Sequence, residues 1–191
     1  MLLTSYCQRK ELSMKYYKKV LKHFKLILIH KHYVFLASIE AGIPFRGFIH
    51  DWSKFSPIEF FNSAKYYTGN RSPIDNEKDE KGYSYAWLHH RGHNPHHWEY
   101  WIDNLSSGGV ALKIPLKYLK EMICDWIGAG KAYDFDNWNY DVPFKRFIHL
   151  YNSGQLKLHL DTYKFLFNVL QEYSKGKDSL KHILKRYQEN Y

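Results

Sequence analysis

The sequence predicts an all-α protein, a single compact helical domain over residues 1–191. Three observations carry the prediction. Apolar residues recur at spacings of three and four along most of the chain. No stretch sustains the period-two alternation of a half-buried strand, and no internal repeat is present. Residues that start and stop helices punctuate the chain at short intervals. The length allows one ordinary domain with a full core. Within it, residues 24–133 hold the chemistry-bearing side chains and residues 134–191 read as C-terminal helices.

Ser13 can cap a helix that runs through Tyr17, Val20, Leu21 and Phe24. A second apolar stretch, Leu26 to Ile39, stops at Gly42 and Pro44. Phe45 to Ser53 fits a short helix. Ser56-Pro57-Ile58-Glu59 is the clearest local signal. Serine at the cap, proline at the first helical position and glutamate at the third form a capping box, and the helix they open should reach about Tyr67. Thr68 to Gly82 is rich in Gly, Asn, Asp and Lys and reads as one exposed loop. Helix resumes over Tyr83 to His90, and Gly92 breaks it. Asn94-Pro95 then offers a cap and a first-turn proline for a short helix through Trp101. Ser106-Ser107-Gly108-Gly109 is another loop. Pro115 opens a helix carrying Tyr118, Leu119, Met122, Ile123, Trp126 and Ile127. Three further helical patterns lie near Pro143 to Tyr151, Leu156 to Tyr173 and Ser179 to Tyr191.

Composition narrows the class. Apolar residues are 45% and aromatics 18%, enough to bury a core, which excludes a disordered chain. Against 19 Asp and Glu stand 28 Lys and Arg, a formal charge of +9 that favours anionic partners such as phosphorylated small molecules or nucleic acid. Much of the excess lies in Lys15 to Lys25 and Lys175 to Arg186, where a solvated helix face is an equally good account. The two cysteines, Cys7 and Cys124, imply no disulfide framework and a reducing compartment. Cys124 sits in an apolar helix and reads as a small buried residue. The stretch Leu26 to Leu36 is interrupted by His30, Lys31 and His32, so neither a secretory signal nor a membrane span is expected. The resulting expectation is a cytoplasmic protein.

The chemistry centres on His50-Asp51. An imidazole beside a carboxylate can hold a metal ion, and nitrogen and oxygen donors together suit Mn, Fe or Zn better than Mg. On a continuous helix His50 and Lys54 would share a face, so that a metal takes His50 and Asp51 while the Lys54 ammonium meets a substrate anion. The plainer alternative is an Asp51–Lys54 pair at a helix end. Downstream, five histidines (His89, His90, His93, His96 and His97) lie among Trp87, Trp98 and Trp101. Two or three of them are expected as ligands or substrate contacts and the rest as structural. His90 with His96 or His97 is expected to face the same cavity as Asp51. Glu121 and Asp125 are four apart on an otherwise apolar helix, and a carboxylate carried into a core needs a metal or a cation. Asp125 is the better ligand candidate of the two. His30, alone on the apolar face of its helix, would ordinarily be a hydrogen-bonded core histidine.

Taken in order, His30, His50-Asp51, the histidines near 90 and 96 to 97, and Asp125 resemble the HD-domain superfamily, an all-helical fold of metal-dependent phosphohydrolases. Several phrases are more closely similar to a small uncharacterised family of microbial and viral proteins with this HD-like layout: His30-Lys31-His32-Tyr33-Val34-Phe35, His50-Asp51-Trp52-Ser53-Lys54-Phe55-Ser56, Ala86-Trp87-Leu88-His89-His90, Asn94-Pro95-His96-His97-Trp98-Glu99-Tyr100-Trp101 and Glu121-Met122-Ile123-Cys124-Asp125-Trp126. The resemblance implies His30, His50, Asp51 and Asp125 as ligands of one divalent transition metal, with His90 and His96 or His97 completing a second. It implies hydrolysis of a phosphate ester or nucleotide through metal-activated water. Lys54 would bind the phosphate, and His90 or His97 would act as general acid. The interval from His30 to His50 is short, and the Gly-Tyr-Pro signature of the cyclic-dinucleotide branch is absent. Two other functions compete: a non-haem di-iron oxygenase using the same ligands, and a silent basic module that grips nucleic acid. The expected partner is a phosphorylated small molecule or nucleotide, with nucleic acid less favoured and no membrane.

Overall fold

Helix formation follows the local signals almost everywhere, and the differences have local causes. The structure, a computed structural model, describes residues 2–103 and 108–191, with side chains described from residue 13 onward. The Cys7 side chain and Ser106-Ser107 therefore lie outside the described residues. The first helix, α1 (Leu2–Glu40), is continuous. Ser13 lies inside it and does not cap a new helix. Neither Gly nor Pro falls between residues 2 and 41, and one serine costs a helix interior only a few tenths of a kcal/mol. Next come α2 (Pro44–Ile49) and a 3-10 turn, Trp52–Phe55. The expected helix over Phe45 to Ser53 is thus broken at His50-Asp51, and His50 and Lys54 do not share the face of one continuous helix.

In α3 (Pro57–Tyr66) the Ser56 hydroxyl accepts from the Glu59 backbone N–H, half of the expected capping box. The polar loop expected over Thr68 to Gly82 instead contains α4 (Pro73–Lys81). Pro73 at its first position, Asp75 in its first turn and Gly82 in the left-handed region at its end supply the boundaries. Its apolar content is too low to announce it. What anchors it is the buried Glu77 carboxylate, which accepts from Ser84 Oγ at 2.6 Å and Lys81 Nζ at 3.0 Å. Gly92 does not end α5 (Tyr85–His93), which stops where Asn94-Pro95 forbids another turn. The helix expected through Trp101 shrinks to a 3-10 turn, Trp98–Trp101. A two-residue antiparallel ribbon follows, β1 (Ile102–Asp103) with β2 (Val110–Ala111), Ile102 opposite Ala111. Four helices complete the chain: α6 (Leu116–Tyr133), α7 (Val142–Asn152), α8 (Leu160–Tyr173) and α9 (Leu180–Gln188). The architecture is all-α. Among the described residues no helix is long and apolar enough to cross a membrane.

The chain divides into two compact units. The first comprises the chain up to Ile29 and Trp52–His90. Its interior is small and partly polar, with Ile27, Ala64, Tyr66 and Ala86 buried beside Glu59, Glu77, Ser84 and His90. The buried His23 ring lies against Phe60 and Tyr67, and burial, helped by the Lys54 charge, lowers its pKa to about 4. The second unit comprises His30–Asp51 and Arg91–Tyr191. Here α6 is the axis of a large core. Its Leu119, Met122, Ile123, Trp126 and Ile127 are buried with Phe147 of α7, Leu166, Val169 and Leu170 of α8, and Leu180, Ile183 and Leu184 of α9. Burying each such side chain is worth about 1.5–3 kcal/mol.

Two glycines set how closely the helices of the second unit approach. A Cβ at Gly128 of α6 would meet Val34 Cγ2 at 2.4 Å and Val34 N at 2.8 Å. A Cβ at Gly47 of α2 would meet Ser38 Cβ at 2.3 Å. Only glycine permits these contacts with α1. The first lies one turn beyond His30 and Asp125, and the second lies one turn before His50.

Candidate metal centre

Backbone geometry aims the His50-Asp51 pair. His50 leaves α2 with ψ 133°, and Asp51 has φ +52°, the one left-handed non-glycine among the described residues. That conformation costs an L-residue roughly 1–2 kcal/mol, less for Asp, whose short polar side chain tolerates it. Lys31 Nζ donates to the carbonyls of Phe48 (3.3 Å) and His50, satisfying the end of α2. Both residues of the pair are then 1% exposed.

Four buried donors converge there. His30 Nε2 lies 3.4 Å from Asp51 Oδ2 and 3.1 Å from Asp125 Oδ1. His50 Nε2 lies 3.1 Å from Asp51 Oδ2 and 3.3 Å from Asp125 Oδ1. The two Nε2 atoms are buried and make no hydrogen bond of good geometry among the described residues. Two donors about 2.1 Å from one ion stand about 3.0 Å apart at a right angle and about 3.4 Å apart at the tetrahedral angle. These four separations are compatible with those edges, so the side chains could hold one ion. The ligand atoms of all four residues lie within 4.8 Å of one another.

The other Asp51 oxygen serves a second set. His96 Nε2 lies 3.3 Å from Asp51 Oδ1, and Asp51, His96 and His97 offer ligand atoms within 4.8 Å of one another. His96 and His97 are buried in the turn that precedes the Trp98–Trp101 helix, and Trp101 Nε1 fastens that turn by donating to the Pro95 carbonyl at 2.7 Å. The imidazoles are crowded, with ring centroids 4.4 Å apart for His50–His96 and 4.2 Å for His96–His97.

Electrostatics follow from this crowding. Burial disfavours the His50 imidazolium, but the Asp51 charge, the nearby Asp125 carboxylate and the Glu121 hydrogen bond outweigh it and hold the pKa well above the ordinary value. Burial and the neighbouring His50 charge lower the pKa of His96. Burial would raise Asp125, yet the close His30 and His50 imidazoles hold it well below the ordinary carboxylate range. Glu121 is likewise raised by burial but brought down to about 2 by His50 and His96. These are ionised carboxylates around histidines that cannot all be charged together, an arrangement that a divalent cation satisfies.

Two further buried carboxylates, Glu121 and Glu59, have definite partners. Glu121 Oε1 accepts from His50 Nδ1 at 3.1 Å, while Oε2 takes both Nε (2.7 Å) and Nη2 of Arg46. The Arg46 guanidinium lies 4.4 Å over the Tyr118 ring. Arg46 stands four residues before His50, and no motif in the sequence marks it. In the first unit, Glu59 does not complete its capping box. Its oxygens accept from His89 Nδ1 at 2.6 Å and His90 Nδ1 at 2.8 Å, and Ser53 Oγ is 3.3 Å from the same His90 nitrogen. Burial raises the Glu59 pKa, and the two histidines more than reverse that. A histidine protonated on Nδ1 carries its lone pair on Nε2, the form a ligand or base needs. Lys54 lies on the 3-10 turn of the same unit, and His93 is exposed. His30, His50, Asp51, His96, His97 and Asp125 thus come together within the second unit, and His90 and Lys54 belong to the first.

No curated protein and no solved structure matches the chain. One family model does, described as a family of unknown function, DUF5662, and its match covers residues 19–172, from α1 before His30 to the last turn of α8. With most of its length matched, donors included, the chain belongs to the DUF5662 family.

Proposed function

We propose that the protein is a metal-dependent phosphohydrolase acting on a phosphate ester or nucleotide. The observation that carries the reading is the buried four-donor set of His30, His50, Asp51 and Asp125, whose separations match the edges of a metal polyhedron. A divalent transition metal bound there supplies a Lewis acid for a phosphoryl oxygen and a nucleophile from water near neutral pH. Asp51 presents Oδ2 to this set and Oδ1 to His96, so one carboxylate serves two ions, the second taken by His96 and His97. Lys54 is proposed for the phosphate on the resemblance alone, since the break at His50-Asp51 removes the shared helix face. An ammonium is a compact charge for a phosphate oxygen, and the formal charge of +9 draws anions toward the chain.

The test is metal analysis of protein purified without chelator, followed by a screen of phosphomonoesters, phosphodiesters and nucleotides with Mn(II) or Fe(II). Stoichiometric metal with release of phosphate or a nucleoside supports the reading. Oxygen consumption by an iron-loaded, coloured protein that releases no phosphate replaces it with oxygenase chemistry. Protein that takes up no metal rejects both.

A further inference from the structure

Glu121 has a buried carboxylate that the metal reading leaves without work. With His50 and His96 it offers ligand atoms within 4.8 Å of one another, which by distance alone admits a third ion. The partners argue otherwise. Arg46 occupies Oε2 with two N–H groups, and a cation beside a guanidinium is electrostatically disfavoured. The imidazole nitrogens that face Glu121 are Nδ1 of His50, at 3.1 Å, and Nδ1 of His96, at 3.4 Å, both to Oε1. The opposite nitrogens, Nε2 of the same rings, face the two oxygens of Asp51, His50 toward Oδ2 and His96 toward Oδ1. One Glu121 oxygen thus stands behind two histidines whose front nitrogens belong to two different donor sets.

We infer that Glu121 is not a ligand but a positioning residue, held by Arg46, that keeps His50 and His96 protonated on Nδ1 and pointed through Nε2 at the two ion positions flanking Asp51. The inference rests on the metal reading above. A carboxylate behind a ligating histidine fixes its tautomer and ring plane and raises its basicity, and losing such a partner typically weakens metal binding about 10–100-fold. Because Oε1 addresses both rings, removing its charge weakens both ion positions together. Arg46 supplies the counter-charge that keeps Glu121 ionised and its carboxylate plane fixed, and Tyr118 supports the guanidinium.

The experiment is a Co(II) titration of the metal-free full chain, followed by visible absorption and by stoichiometry, for wild type, Glu121→Gln and Arg46→Gln. The expected result is unchanged stoichiometry and band intensity in Glu121→Gln, with both binding steps weakened 10–100-fold. Arg46→Gln, which keeps the carboxylate, shifts both steps in the same direction by less. A drop in stoichiometry or a changed ligand-field spectrum in Glu121→Gln would make Glu121 a ligand and overturn the inference. Unchanged affinity with a lowered melting temperature would make its role structural and also overturn it. If Glu121→Gln does not fold, Arg46→Gln decides by the same criteria. Wild-type protein that binds no Co(II) refutes the metal reading itself, whatever Glu121 does.

Discussion

At the scale of single residues, Asp51 joins everything at the centre. It is buried, left-handed in φ, and shared between two histidine-bearing sets. Asp51→Asn keeps the shape and removes the charge. It should abolish metal retention while leaving the helical circular dichroism intact, and full metal occupancy in that variant contradicts the assignment. Protonation gives a second prediction for the metal-free protein. The His50 pKa stands above 6.5, so the stability it contributes is complete below pH 6.5 and is lost as pH rises through the elevated folded value. His23 and His96 stand below 6.5, so the unfolded chain binds more protons there and stability falls as pH drops from 6.5, for His23 toward about 4. Glu121 and Asp125 are depressed, so their contribution is complete above their ordinary values of 4.5 and 3.8 and is lost as pH falls through the folded ones, about 2 for Glu121. The melting temperature of chelator-treated protein should therefore peak near pH 6.5, and a steady rise from pH 6.5 to 8.5 contradicts this. With metal bound, the His50 proton is already displaced from Nε2, so the alkaline decline should vanish. His30, His50, Asp51 and Asp125 were legible as candidates because their residue types announce the chemistry. Glu121 as a positioning carboxylate, Arg46 behind it and Glu59 behind His90 were not, since nothing in a sequence tells which buried carboxylate a distant imidazole will meet.

At the scale of elements, the site exists because three helix segments of the second unit approach more closely than ordinary side chains allow. Gly128 against Val34 brings Asp125 of α6 to His30 of α1. Gly128→Ala should cost about 1–3 kcal/mol of stability, the usual price of overpacking a tight contact, and should weaken metal binding as well. Gly92 is a control, because a Cβ there meets nothing within 4 Å. Gly92→Ala in α5 should be neutral or stabilising by up to about 1 kcal/mol in a denaturant titration. A Gly128→Ala protein as stable as wild type would show that the helices can separate without harm. Helix existence was legible wherever an apolar stripe marked it, as in α6, α7 and α8. Helix α4 was hidden because its hold on the fold is the Glu77 hydrogen-bond cluster and not an apolar face. The break at Asp51 was hidden because neither Gly nor Pro marks it. Lys31, nineteen residues away in sequence, satisfies the carbonyl that the break exposes.

At the scale of the whole molecule, the all-α class follows from periodicity summed over the chain, a signal that local errors at caps and turns do not erase. The assembly of each unit from two separated stretches is not a periodic property, and no local pattern encodes it. The charge of +9 is a whole-chain property with a kinetic consequence. For an anionic substrate, kcat/KM should fall as salt rises from 50 to 300 mM, because screening shortens the reach of the field to about 10 Å or less. A flat salt dependence for a doubly charged phosphate substrate would remove electrostatic capture from the account. The most direct test of the central claim is an anomalous-scattering map from crystals of the protein loaded with Mn(II) or Fe(II), collected on both sides of the metal's absorption edge. A peak is expected about 2.1 Å from each of His30 Nε2, His50 Nε2, Asp51 Oδ2 and Asp125 Oδ1. No peak among these four atoms in metal-loaded crystals, or a peak elsewhere on the molecule instead, would contradict that claim.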